Sequence, residues 1–300
     1  MTGDVGTRAA AAGAGYGKRS RGPLAGLRRA LRRTPYYVVL VLVMVVIVFP
    51  YYWLVTNGVK TAAEIGAIPP RLVPSAVSLD SLKAAFATGF LVNMLNSIVI
   101  STTTAVACIF LGSFTAYAFG RIRMKGYKVM LGLILVLAML PGISVLGPVY
   151  RIFAKLRMLN TYLALILPYA AFNMPFSIWY LANFFKAIPM ELEEAAMIDG
   201  CTPFQAMIRI IFPMSVPALV GIGILSFIGA WNEFLFALCL TQTNAARTAT
   251  VAIMLFQGVH YFPWGPISAA SAFMSLPILV IVLISQRWLV RNLFTGMLKG

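Results

Sequence analysis

Acidic side chains are scarce in this chain. Eight Asp and Glu stand against 24 Lys and Arg and a single His in 300 residues, and charged residues of all kinds reach only 11% against 60% apolar. Soluble domains carry about 25% charged residues, so this composition, with a mean hydropathy of +0.87, excludes a large soluble domain. Cysteine is nearly absent. Cys108, Cys201 and Cys239 lie far apart, form no CxxC pair and leave an odd count, which argues against a disulfide framework. With His260 the only histidine, no ligand cluster for a metal is expected. No GxxxxGK[ST] phosphate loop occurs, so the chain lacks the usual cradle for ATP.

What remains is apolar sequence in long runs. Three hundred residues leave room for about six spans of ~20 residues, and the fold expected is an all-α polytopic membrane protein. The runs place spans at 37–56, 94–118, 129–148, 162–184, 214–240 and 267–286. Residues 1–35 are rich in Arg, Gly and Ala and read as a basic disordered tail. Residues 36–91 read as the first helix and its outer loop, 92–286 as the main transmembrane domain, and 287–300 as a C-terminal tail. Of the 24 Lys and Arg, 17 fall on the side of the two tails and the loops around 119–128 and 185–213, and 7 on the other. Positive charge marks the cytoplasmic side, so both termini are expected in the cytoplasm. The basic excess is thus a matter of membrane orientation, and no nucleic acid is expected as partner. One stretch runs against this rule: "YRIFAKLRM" (150–158) carries three basic residues on the outer side and suits a short interfacial helix. Pro141, Pro168, Pro175 and Pro277 are expected inside spans, and Gly112, Ala116 and Gly120 form a small-residue stripe for close helix packing.

Four of the eight acidic residues crowd into "ELEEAAMIDG" (191–200). Pro189 in a first turn, Glu191, Glu193 and Glu194 at the positive end of a helix dipole and Gly200 as a left-handed stop predict a short helix. Thr202, Pro203 and Gln205 then predict a capped second helix through Ile211, ended by Pro213. Leu192, Ala195 and Ala196 form an apolar strip on the first of these. A helix, a glycine turn and a helix outside the hydrocarbon make a stiff knob for docking; a mere interfacial connector is the alternative.

"ELEEAAMIDGCTPFQAMIRIIFPMSVPAL" resembles the EAA loop of binding-protein-dependent ABC importer permeases, in which Glu194, Ala195, Ala196, three residues and Gly200 fall on the family pattern. "NSIVIS", "AYAFGRIRMKG", "MLPGISVLGPVY", "NTYLALILPY", "WNEF", "PWGPISAAS" and "QRWLVRNLFTGMLKG" extend the resemblance over most of the chain, toward the carbohydrate-uptake, MalG-like branch. The resemblance implies the type I ABC importer permease fold, with residues 189–213 as the coupling loop. Glu191, Glu194, Ala195, Ala196, Asp199 and Gly200 would meet an ATPase subunit, aided by Gly296, Lys299 and Gly300 of the tail. It further implies a second related permease, a dimer of ABC ATPases that bind ATP and Mg, and an extracytoplasmic solute-binding protein. The cargo implied is an α-linked disaccharide or short oligosaccharide of the maltose or trehalose type, with another sugar or a glycerol phosphate as alternatives. No cofactor is expected in this chain, and it is not itself an enzyme.

Within the spans the one acid is Glu233, in "GAWNEFLF", and an intramembrane carboxylate is a functional candidate by default. It is expected to pair with Asn232 or another helix, or to meet sugar or the binding protein. Asn96, Asn173, Trp231, Asn232 and Trp264 complete the candidates for a sugar path, since amides bond hydroxyls and aromatic rings cover pyranose faces. Trp231, Tyr261 and Trp264 also suit an outer aromatic belt. A proton-coupled secondary transporter would place several ionisable groups at the midplane, and a membrane enzyme would need convergent acids, bases or ligands. Neither pattern is visible.

Overall fold

The computed structural model describes the backbone of residues 23–122, 125–258 and 262–297, and side chains within 35–286. Among these residues the chain is helical throughout, without strands. Helix α1 (Pro23–Val59) begins inside the stretch read as a tail. Contacts divide the chain into residues 1–52 and 53–300. In the first unit every described side chain from Pro35 to Tyr52 is exposed and nearly all are apolar, a surface that only lipid or another apolar partner can cover.

The second unit holds a short α2 (Ala62–Ile65), α3 (Asp80–Ala87), the long α4 (Phe90–Arg121), α5 (Tyr127–Ala138), α6 (Gly142–Lys155) and α7 (Tyr162–Ala187). After these come α8 (Glu191–Ile198), α9 (Pro203–Ala206), a π-helical stretch Met207–Ile211, α10 (Phe212–Met214), α11 (Val216–Asn232), α12 (Leu235–Leu240), α13 (Ala249–Met254) and α14 (Trp264–Met297). Among the described residues four helices are long and apolar enough to cross a membrane. Two bent pairs, α5 with α6 and α9–α10 with α11, bring the number to six if each is one span.

Helices α4 and α7 form the most extensive pairing in the fold. Small residues permit it: a methyl placed at Gly112 would lie 3.5 Å from Ser177 Cβ, and one at Gly120 would lie 3.0 Å from Ala182 O. The stripe Gly112, Ala116, Gly120 therefore does what its spacing predicts. Ala116, Leu181, Ala182, Phe185, Ile211 and Ile222 are fully buried around this seam.

Two spans depart from the sequence reading. The third, expected over 129–148, breaks after Ala138, and α6 leaves at 88° to α5. Pro141, expected inside a span, sits at the break in an extended conformation, φ −63 and ψ 128. It has no N–H to continue the ladder. Helix α5 alone, at 12 residues, covers only about 18 Å, and residues 150–155 of the basic stretch 150–158 supply the last turns of α6. The fifth span, expected over 214–240, is interrupted at Glu233 and Phe234 between α11 and α12. Its start also moves, because α10 bends 76° into α11 at Ser215. Pro168, Pro175 and Pro277 do lie inside helices.

Candidate coupling site and the helix-break pocket

The acidic stretch folds as its residue types dictate. Glu191, Glu193 and Glu194 occupy the first turn of α8, which begins at Glu191, after Pro189 and not on it. At the other end the Gly200 N–H donates to Met197 O (3.1 Å) and the Cys201 N–H to Ala196 O (2.9 Å), with Gly200 at φ +89. This is the Schellman pair of bonds, which needs a left-handed residue at the position of Gly200. Two residues on, the Thr202 N–H donates to Gln205 Oε1 (3.0 Å) and the Gln205 N–H to Thr202 Oγ1 (3.3 Å), closing the capping box.

The second helix outruns its expected end at Ile211. The Phe212 N–H donates to Met207 O, five residues back, a π-type register set just ahead of Pro213, which has no N–H to offer. Helical backbone therefore continues to Met214, and Ser215 is where the chain turns.

Burial divides α8 into two faces. Glu191, Leu192, Glu194, Ala195, Ile198, Asp199 and Gly200 are exposed, Ile198 to 87%, while Glu193 and Ala196 are buried at 2% and 7%. Ala196 therefore does not belong to the outward strip expected with Leu192 and Ala195; it packs against the bundle.

Glu193, which sequence reasoning had treated only as a helix starter, is the residue that seats α8. The Tyr117 hydroxyl donates to Glu193 Oε1, and Arg121 Nε lies 3.4 Å from Oε2. Arg121 Nη1 reaches Met190 Sδ at 3.4 Å. Arg121 is 8% exposed, and its Nε and Nη2 have no hydrogen-bond partner among the described residues. A cation and an anion thus share a dry site at the end of α4, with the attraction between them offsetting desolvation. The available signal was positional: Glu193 and Ala196, three apart, share a helix face, and Arg121 and Tyr117, four apart, share another.

The candidates for a sugar path scatter. Asn96 is engaged in structure: its Nδ2 donates to Asn244 O (2.8 Å) and Arg247 O (3.0 Å), and its Oδ1 accepts from the Tyr162 hydroxyl (2.6 Å). Asn160 holds the other side of the same loop by accepting from the N–H groups of Gln242 and Thr243. Trp231 belongs neither to the path nor to an outer belt; it is 1% exposed and stacks on Phe227 at 5.5 Å. Asn232 is exposed. Trp264 is 56% exposed beside Phe262 at 4.5 Å, as a belt residue would be. His260, Tyr261, Lys299 and Gly300 lie outside the described residues, as does the side-chain setting of Gly296.

Only Asn173 and Glu233 come together. They line a 140 Å³ pocket with Leu140, Tyr169, Phe172, Phe236 and the backbone of Gly142 and Gly229. Glu233 does not pair with Asn232. Its two carboxylate oxygens accept from the N–H groups of Phe236 (2.9 Å) and Ala237 (3.2 Å), so it restarts the helix that it interrupts. A larger neighbouring cavity of 470 Å³ is lined by apolar residues alone.

In the segment between α1 and α3, Glu64 accepts from the N–H of Ser75 at 2.9 Å and from its hydroxyl, with Arg71 at 3.5 Å. The Ser75 side chain first, then its backbone N–H, hold the Glu64 carboxyl below its ordinary range.

Comparison with known proteins places this geometry. The family described as "Binding-protein-dependent transport system inner membrane component" matches residues 108–295, which include Tyr117, Arg121, the whole acidic loop and Glu233. The chain belongs to that family. This inner membrane component is 39% identical over 273 residues to the trehalose transport system permease protein SugB of Mycobacterium tuberculosis, covering 90% of this chain and 99% of the relative. It is 37% identical over 264 residues to the trehalose/maltose transport system permease protein MalG of Thermococcus litoralis, with coverage of 87% and 94%. In fold it is similar to a chain of a bacterial ABC transporter involved in the import of the acidic polysaccharide alginate, at TM-score 0.72 and 20% identity, covering 90% of this chain and 97% of that one.

Proposed function

We propose that this inner membrane component is a permease subunit of an ATP-driven sugar importer, coupled to its ATPase through residues 189–213. The observation that carries this reading is the division of α8: an exposed face of Leu192, Glu194, Ala195, Ile198 and Asp199 on one side, and the buried Glu193 tied to Tyr117 and Arg121 on the other. An ATPase that grips the outer face moves the end of α4 with it, because packed interfaces shift between discrete arrangements and do not stretch. ATP and Mg are bound by a pair of partner ATPase subunits, a second related permease completes the channel, and an extracytoplasmic binding protein delivers the sugar. The tail with Gly296, Lys299 and Gly300 reaches the same ATPase interface. Both termini lie in the cytoplasm, an orientation supported by the 17 to 7 partition of basic residues. The names of the two relatives favour an α-linked disaccharide of the trehalose or maltose type as cargo.

Reconstitution tests the assignment. Proteoliposomes holding both permeases and the ATPase pair are expected to take up radiolabelled trehalose when ATP and the binding protein are supplied, and to stop when the ATPase is omitted. Uptake by this chain alone, driven by a proton gradient, would overturn the reading in favour of a secondary transporter.

A further inference from the structure

Three weakened stretches of helix meet around the small pocket. Gly142 lies at the break between α5 and α6, Glu233 at the break between α11 and α12, and Tyr169 and Asn173 stand on α7 between Pro168 and Pro175. Pro175 has no N–H to give to the carbonyl four residues earlier, which interrupts the hydrogen-bond ladder of α7 near this point. Transporters place substrate sites where helices are discontinuous, since irregular backbone inside a membrane is tolerated only when buried or facing a cavity.

The lining has the chemistry of a carbohydrate site. Phe172 and Phe236 stand with ring centroids 5.5 Å apart and planes at 50°, offering apolar faces to the C–H side of a ring. The Tyr169 hydroxyl, the Asn173 amide and the Glu233 carboxylate supply donors and acceptors for hydroxyls. Asn173 is held in place: its Nδ2 donates to Tyr169 O at 2.8 Å, and a methyl at Gly229 would lie 2.7 Å from its Oδ1, so glycine is what admits the amide. Glu233 gives one lone pair of each oxygen to α12 and faces the Tyr169 hydroxyl, which leaves about one of its roughly four acceptor sites.

Size and charge narrow the ligand. At 140 Å³ the pocket falls below the roughly 300–1,000 Å³ of sites for drug-sized molecules, which suits one ring of a sugar. No basic residue lines it, and a carboxylate repels phosphate or sulfonate. We propose that this pocket is a subsite for one neutral pyranose ring on the translocation path. The proposal rests on the importer reading above, and excludes glycerol phosphate from this site.

The test uses the complete complex in proteoliposomes, with uptake measured at saturating sugar-loaded binding protein so that the affinity of that protein does not enter. The probes are radiolabelled trehalose and its monodeoxy analogues. Tyr169→Phe removes one hydroxyl and keeps the ring; it is expected to slow trehalose uptake about threefold to tenfold, the worth of one hydrogen bond. The deficit should vanish for the one deoxy analogue that lacks the matching hydroxyl. Glu233→Gln, which keeps an oxygen for the α12 cap, should slow uptake at least as much and shift the preference among analogues. Wild-type rates in both variants would overturn the subsite and leave the importer reading intact. An equal slowing for every analogue, as a general structural defect gives, would also overturn it. Absence of any sugar uptake by the wild-type complex would sink the importer reading, and the subsite with it.

Discussion

Replacing Glu193 by alanine leaves Arg121 buried at 8% exposure without its anion. The guanidinium already has Nε and Nη2 outside any hydrogen bond among the described residues, and the 3.4 Å ion pair is what opposes its desolvation. Removing one partner of such a pair costs about 3–5 kcal/mol. At about 1.4 kcal/mol per decade, the ratio of seated to unseated α8 falls roughly a hundredfold to a few thousandfold. Glu194→Ala, on the exposed face, loses part of a dipole complement worth about 0.3–1 kcal/mol. Two neighbouring glutamates should therefore differ by about thirtyfold or more in what their loss does. The assay is affinity purification through a tag on this chain, with the co-eluting ATPase quantified and sugar-stimulated ATP hydrolysis measured. Glu193→Ala should lose most of both and Glu194→Ala little. A double variant, Glu193→Leu with Arg121→Met, removes both charges, and since apolar replacement of a buried pair is often neutral it should recover assembly. If Glu193→Ala assembles and hydrolyses ATP normally, or if the double variant is no better than the single, the pair does not seat α8.

Gly200→Val places a β-branched residue at φ +89, costing about 1–2 kcal/mol of backbone strain, and should abolish ATPase co-purification while membrane insertion persists; normal transport would reduce the loop to a connector. In a background free of Cys108, Cys201 and Cys239, a cysteine replacing Lys125 should resist membrane-impermeant maleimide in intact cells while one replacing Ala76 reacts, and the reverse pattern would invert the topology. Glu64, held below its ordinary value of 4.5 by Ser75, contributes stability that is fully present above that value and is lost as pH falls through the lowered one. The protection factor of the Ser75 amide, which removes the intrinsic pH dependence of exchange, should be unchanged from pH 7 to 5 and fall in stronger acid, and Glu64→Gln should remove that acid dependence; a wild-type profile in the variant would show that the carboxylate does not pin the loop.

Class, number of spans and the form of the acidic loop were legible because each depends on local properties: apolar run length, a left-handed position that glycine fills, and a capping box between neighbours. The breaks were less so. "AMLPGIS" reads as part of an apolar run, and hydropathy does not register that Pro141 has no N–H to continue the helix. At Glu233 a single acid in "AWNEFLF" looked like a charge within a span, when its carboxylate is the cap that lets a second helix begin. Trp231 and Asn96 were assigned to the path on residue type alone, yet which way each faces depends on α4, α7, α11 and α13 packing together, which no window of sequence contains.

The same physics links the two ends of α11. At Ser215 the helix departs at 76° from the one before it, and at Glu233 it stops; between them 17 residues span about 25 Å without an internal break. A segment of that kind moves as a rod, because its backbone hydrogen bonds are all internal and its sides are packed against α4 and α7. Deformation is therefore confined to its ends, where the ladder is already open. One end follows directly from α8–α10, the segment proposed to meet the ATPase, and the other carries Glu233 into the pocket proposed to meet the sugar. A tilt imposed at Ser215 consequently reaches Glu233 as a displacement and is not absorbed along the way. The carboxylate must then either drag α12 with it or give up the bonds to Phe236 and Ala237, and each outcome changes the shape of the pocket.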